Sequence, residues 1–220
     1  MLQKWFPTPI YYEHFKDLSY LKSLISYLKK YTPKKNLELL TLGDILTGVA
    51  TLNSYIHFDK KLKKIFNFIE KHAREYAKIK GLDFEKENLY LGKSWVNFGK
   101  KGSKIIEHNH AKSYISGVLY LNTTDTNDKL YIKKYRKNDP LLVPNDFTNN
   151  TVLYKVETGK IIFFPGDLDH GVLNTYQGDD ERVCISFDFY TTSLYGKSQP
   201  PIPKQINDKL LKQIKKHYDS

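Results

Sequence analysis

The sequence predicts a mainly β protein with helical support: a double-stranded β-helix (jelly roll, cupin-like) core with N-terminal helices packed on it. Three observations predict it. Apolar side chains recur at helical spacing through the first 87 residues. At residue 88 the period changes to two, and eight short β-rich runs follow, separated by turn clusters at 99–102, 122–128 and 177–180. Finally, 220 residues with 40% hydrophobic and 14% aromatic content suffice for one sizeable core but not for two catalytic domains.

Residues 1–87 are expected to form a helical region supporting the barrel. Over 15–31, Leu18, Leu21, Leu24, Ile25 and Leu28 share one face. Segment 37–55 reads as mixed helix interrupted by two glycines. The clearest helix starts after Asp59, a suitable N-cap, and sets Leu62, Ile65, Phe66, Ile69, Ala73 and Tyr76 on one side. It stops at Gly81, placed as a C′ glycine. Residues 88–197 form the β core, with strands at 89–98, 104–108, 114–121, 130–135, 151–156, 160–164, 171–176 and 182–190. Segment 137–150, with two prolines and four asparagines, is a longer loop that suits a substrate-facing role. Residues 198–220 form a Pro-rich tail and a short basic helix through Leu210, Leu211 and Ile214. That apolar face needs a partner surface, on the barrel or on a second copy in a homodimer. The three parts make one domain.

Composition excludes several functions. One cysteine rules out an intrachain disulfide framework and any cysteine-based zinc cluster. No apolar run approaches a membrane span of about 18 residues, and the first ten residues lack a signal peptide's apolar stretch, so the chain reads as cytoplasmic. The net charge of +11 suggests nucleic acid at first sight, but only Arg74, Arg136 and Arg182 among 35 basic residues are arginines. Phosphate and base readers favour arginine's planar fork. The lysines are scattered, and with abundant Asn, Ile and Tyr they fit an AT-rich genome, so nucleic-acid binding is not the expected function.

Seven histidines are present, at 14, 57, 72, 108, 110, 170 and 217. His108 and His110 flank Asn109, and in a strand such residues point to one face. Two imidazoles buried so close together need something to use their lone pairs, and a metal does so. Solvent-facing histidines in a turn are the competing interpretation. His170 shifts the balance: an apolar strand closed by Pro165-Gly166, then a histidine opening the next strand, presents a third ligand from across a barrel. Three histidines from two distant strands would leave open coordination positions. Parity in 182–189 puts Arg182, Cys184 and Ser186 on one face, suited to hold a carboxylate through the guanidinium fork with a serine assisting. The alternative is a strand-edge arginine paired with Asp180 or Glu181. His57-Phe58-Asp59 is set aside, with Asp59 better used as a cap. His14, His72 and His217 read as surface histidines on helices.

The block Trp95-Val-Asn97-Phe-Gly99, then His108-Asn-His110, Ser116-Gly-Val-Leu-Tyr-Leu-Asn122, Gly159 to Pro165, His170 and Arg182, resembles the Fe(II)/2-oxoglutarate-dependent oxygenases. It is most similar to a group found in marine bacteria and phages, and more distantly to prolyl 4-hydroxylases. Phe6-Pro7-Thr8-Pro9 and the segment from Thr51 to His57 resemble the same group. The resemblance implies Fe(II), 2-oxoglutarate and O2 as cofactors, with His108, His110 and His170 as catalytic metal ligands. It implies Arg182 on the cosubstrate's C5 carboxylate and Ser116 or Tyr114 beside it, with Asn97 and Trp95 on a neighbouring strand. Ser186 is a further cosubstrate contact by parity. The family pattern is His-x-Asp/Glu…His, and this chain departs from it in having His110 at the carboxylate position. The implied reaction hydroxylates a C–H bond with release of succinate and CO2. Candidate substrates are a peptidyl proline or other side chain, an amino acid or a small metabolite. A phage-encoded enzyme acting in a host cytoplasm fits the same resemblance. Two other functions stay open: a three-histidine metal dioxygenase that does not use 2-oxoglutarate, and a non-catalytic β-helix binding domain.

Overall fold

The computed structural model describes residues 8–29, 49–50, 55–134 and 150–192. The segment 37–48, the loop 135–149, the tail from 193 and His217 therefore lie outside the described residues. Nine strands are described: β1 Tyr11–His14, β2 Val49–Ala50, β3 Leu89–Gly99, β4 Ile115–Asn122, β5 Lys129–Lys133, β6 Thr151–Lys155, β7 Lys160–Phe164, β8 Asp169–Val172 and β9 Arg182–Thr191. They form a six-stranded sheet ordered β1-β7-β4-β9-β3-β2 and a three-stranded sheet ordered β6-β5-β8. Every described pairing between these strands is antiparallel. Two facing antiparallel sheets with helices behind one of them are the jelly-roll arrangement expected.

Helix α1, Leu18–Leu28, is capped by Asp17, whose side chain accepts from the Tyr20 amide; it buries Leu21, Leu24 and Leu28. Helix α2, Lys63–Ile79, follows a 3-10 turn at Lys60–Leu62 whose Lys61 amide donates to the Asp59 carboxylate at 2.9 Å. Asp59 also accepts from the Tyr27 hydroxyl at 2.6 Å, which ties α1 to the start of α2. Gly81 takes φ +81°, the left-handed conformation that ends a helix cheaply only at glycine.

The alternation in β9 divides the interior. Val183, Ile185, Phe187 and Phe189 join the core shared with α1, α2, Val96, Leu119 and Phe163. Cys184 joins the smaller cluster between the sheets, with Val118, Tyr120, Leu130, Ile132, Ile162 and Phe164. Burying each large apolar side chain contributes about 1.5–3 kcal/mol, so the helical layer is the main anchor of the large sheet. Centrally placed β4 is covered on both faces.

The structure corrects four expectations. The region read as helical supplies the edge strands β1 and β2, which are too short for periodicity to register. Residues 104–108 form no regular strand; they meet β8 only at isolated points, Val172 N–H to the Ile105 carbonyl at 2.9 Å and the His108–His170 bridge. His14 lies on β1 rather than a helix. His72 is buried, not surface, with its Nδ1 2.7 Å from the Tyr11 hydroxyl and 2.9 Å from Glu75.

Candidate metal centre

His170 stands on β8, and an isolated antiparallel bridge fixes His108 against it: His108 N–H to the His170 carbonyl at 3.0 Å and the reverse at 2.8 Å. His110 lies beyond that bridge in a loop, held by its N–H to the Gly166 carbonyl at 2.7 Å. The three rings converge with centroids 4.3, 5.1 and 5.2 Å apart, and one nitrogen from each falls within 4.8 Å of the others. The pair His108 and His110 thus meets His170 as expected, though from a bridge and a loop rather than a strand face.

Hydrogen bonds identify the converging atoms. His108 Nδ1 lies 2.9 Å from the Ile106 carbonyl, and His170 Nδ1 lies 3.0 Å from the Leu168 carbonyl. A carbonyl only accepts, so both Nδ1 atoms carry the proton and their Nε2 lone pairs are free. His110 Nδ1 is 2.7 Å from the Asp188 carboxylate, which leaves its Nε2 free in the same way. Burial, then the neighbouring imidazoles, pull the His170 pKa down to about 3 against the Leu168 carbonyl; burial likewise lowers His108. These two rings are therefore neutral at pH 7. Neutral imidazoles with the far nitrogen locked are the donor set a first-row divalent metal takes, and three of them leave coordination positions open. The residues fit a ferrous ion.

The triad opens on a cavity of about 530 Å³ between the two sheets. The β9 residues Arg182, Cys184, Ser186 and Asp188 line it, beside Asn97 and Trp95 of the neighbouring strand β3. Trp95 packs beside His110, with ring centroids 5.5 Å apart. Arg182, 3% exposed, does not pair with Asp180 or Glu181. Its Nη1 donates to both carboxylate oxygens of Asp128, at 3.1 and 3.0 Å. Burial works against the buried guanidinium's charge, but Asp128 outweighs it and the net direction is up. The Nε and Nη2 atoms make no bond to Asp128. A Cβ at Gly99 would stand 3.4 Å from both, so a larger residue there would crowd them. Asn97 Nδ2 donates to Ser186 Oγ at 2.9 Å, while its buried Oδ1 has no partner.

Two of the residues expected beside the cosubstrate are placed otherwise. Tyr114 precedes β4, so the parity linking it to Ser116 does not apply; its ring lies under Lys80, 3.8 Å from the ammonium, outside the cavity lining. Ser116 does line the cavity, but its hydroxyl donates to Asp188 at 2.7 Å and lies 2.6 Å from Ser113 Oγ. The acids behind the site, Asp128 and Asp188, escaped the sequence reading. Asp188 had a visible signal, since it continues the face of Arg182, Cys184 and Ser186. Asp128 had none, because an aspartate in a turn cluster reads as turn chemistry.

Residues 93–188 match the family model described as "Putative 2OG-Fe(II) oxygenase". That match covers the cavity-lining strands, the three histidines and Arg182, and makes this segment similar to that family. The family is one of enzymes whose cofactors are Fe(II), 2-oxoglutarate and O2. A prolyl-4-hydroxylase from Pseudomonas putida superposes with TM-score 0.57 at 15% identity, over 83% of this chain and 92% of its own. A Trichoplax adhaerens prolyl hydroxylase, in complex with a hypoxia inducible factor peptide fragment, gives TM-score 0.57 at 12% identity, over 87% of each chain. HygX from Streptomyces hygroscopicus, with nickel, 2-oxoglutarate and hygromycin B bound, gives 0.53 at 13%, over 83% of each. At such identities the likeness establishes the fold. A search of curated proteins finds no sequence match.

Proposed function

We propose that this protein is a 2-oxoglutarate-dependent hydroxylase whose metal is held by Nε2 of His108, His110 and His170. The carrying observation is the convergence of three histidines, each with Nδ1 already engaged, at one cavity that Arg182 also lines. When bound, ferrous iron would supply the chemistry by which O2 oxidises 2-oxoglutarate and substrate together, one oxygen atom going into succinate as CO2 leaves and the other into the substrate C–H bond. The chain's own part is positional. Arg182 keeps Nε and Nη2 for the distal carboxylate of the cosubstrate while Asp128 fixes Nη1. Ser186, aligned by Asn97, offers a hydroxyl on the same wall. Apolar Val118, Leu130 and Phe164 line the cavity and exclude water. The substrate approaches along β3, where Trp95 offers a flat face beside His110 and Lys93 a cation; a peptidyl proline or other side chain, an amino acid or a small anionic metabolite suits that surface.

The test is anaerobic addition of Fe(II) and 2-oxoglutarate, read by a visible metal-to-ligand charge-transfer band, then oxygen with succinate measured. Band and succinate are expected. Arg182→Lys keeps a cation for Asp128 but loses the fork, so it should raise the KM for 2-oxoglutarate. A second reading, a three-histidine dioxygenase without 2-oxoglutarate, is favoured by the Asp128 pairing, which already balances the Arg182 charge. It would show oxygen uptake without succinate, unchanged in Arg182→Lys.

A further inference from the structure

Three neutral imidazoles leave a bound dication with its whole charge, inside a cavity where charge is costly. One buried anion stands directly behind His110. Asp188, 4% exposed, directs Oδ1 at two donors, His110 Nδ1 and Ser116 Oγ, each at 2.7 Å. Ser113 Oγ lies 2.6 Å from Ser116 Oγ, and a Cβ at Gly166 would overlap it, so the neighbouring chain leaves this relay no slack. His108 and His170 differ from His110 here: their Nδ1 protons go to carbonyls, which carry no net charge.

We propose that Asp188 is a positioning residue that supplies, through His110, the negative charge a carboxylate ligand would otherwise give the metal. The inference rests on the three-histidine metal site proposed above. A carboxylate accepting the Nδ1 proton polarises the ring and makes Nε2 a stronger donor. Ser116 donates to the same carboxylate oxygen, and Ser113 Oγ stands 2.6 Å behind Ser116 Oγ. His110 with Asp188 thus acts as one anionic ligand in two pieces.

The probe is Co(II) alone, titrated into full-length protein carrying Trp5→Phe, so that Trp95 beside His110 is the remaining indole and its quenching reports occupancy. Asp188→Asn keeps an acceptor of the same shape and removes the charge. The expected result is a loss of about 10–100-fold in Co(II) affinity with the metal-free melting temperature unchanged. The Fe(III)/Fe(II) midpoint potential should also move positive, since the anion stabilises the higher charge. Ser116→Ala should change both readings in the same direction by less. Co(II) affinity within threefold of the parent overturns the proposal, as does an affinity loss accompanied by a fall in the metal-free melting temperature. A parent protein that takes no Co(II) overturns the metal site itself. Co(II) binding that depends on Asp188 without succinate formation overturns only the hydroxylase reading.

Discussion

Arg182 and Asp128 bury opposite charges against each other in the cavity wall, with side-chain exposures of 3% and 0%. Removing one partner strands the other charge, so Asp128→Ala should destabilise the protein by about 3–5 kcal/mol, measured by urea unfolding. Asp128→Asn, which keeps an acceptor for Nη1, should cost less and raise the KM for 2-oxoglutarate. Cys184 is a second buried group with a readable consequence. Burial pushes its thiol pKa up to about 11, against the opposing pull of Arg182 and Asn97. Native protein should resist thiol alkylation at pH 8 and react only when unfolded; rapid native labelling would contradict that burial. The histidines and Arg182 were legible because spacing and composition single them out. Asp128 was not, because it meets Arg182 from 54 positions away through a turn that composition had already explained.

Strand β4 shows why close packing escapes a linear pattern. Gly117 lies under the Phe187 ring: a Cβ there would come within 2.5 Å of that ring and 2.6 Å of the Ile162 carbonyl. Backbone cannot yield as a side-chain end can, so Gly117→Ala should cost the upper end of about 1–3 kcal/mol. A thermal melt checks it, with no change expected in residual cosubstrate affinity per folded molecule. β7 and β9 were predicted nearly to their ends, because β-rich runs bounded by turns are a local signal. The crossing at 104–108 was misread as a strand: its residues have strand composition, but only single bridges to β8 pair it. β1 was invisible for the opposite reason, four residues being too few to display a period.

On the scale of the molecule, pH acts through histidines that the fold keeps neutral. His57, its Nδ1 2.7 Å from Ser94 Oγ, has its pKa lowered by burial to about 4. Between pH 6.5 and 4 the unfolded chain binds this proton and the folded chain does not. Stability should therefore fall with acidification through that window, by on the order of 3 kcal/mol at most. His57→Asn should flatten the dependence in urea titrations at pH 7 and pH 4.5. Metal acts the other way. An ion that binds only the folded triad stabilises by mass action, about 2.7 kcal/mol at a hundred times its Kd. Co(II) or Ni(II) should raise the melting temperature, and a chelator should restore the metal-free value. No described helix is long and apolar enough to cross a membrane.

Strand β9 gives its odd positions to the helical core and its even positions, from Arg182 to Tyr190, to the cavity. Heredity can therefore act on the two sets separately. Exchanges at Tyr190 would retune which molecules are accepted while Val183, Ile185, Phe187 and Phe189 go on anchoring the scaffold. One strand in this way lets a lineage explore new substrates without first losing its fold.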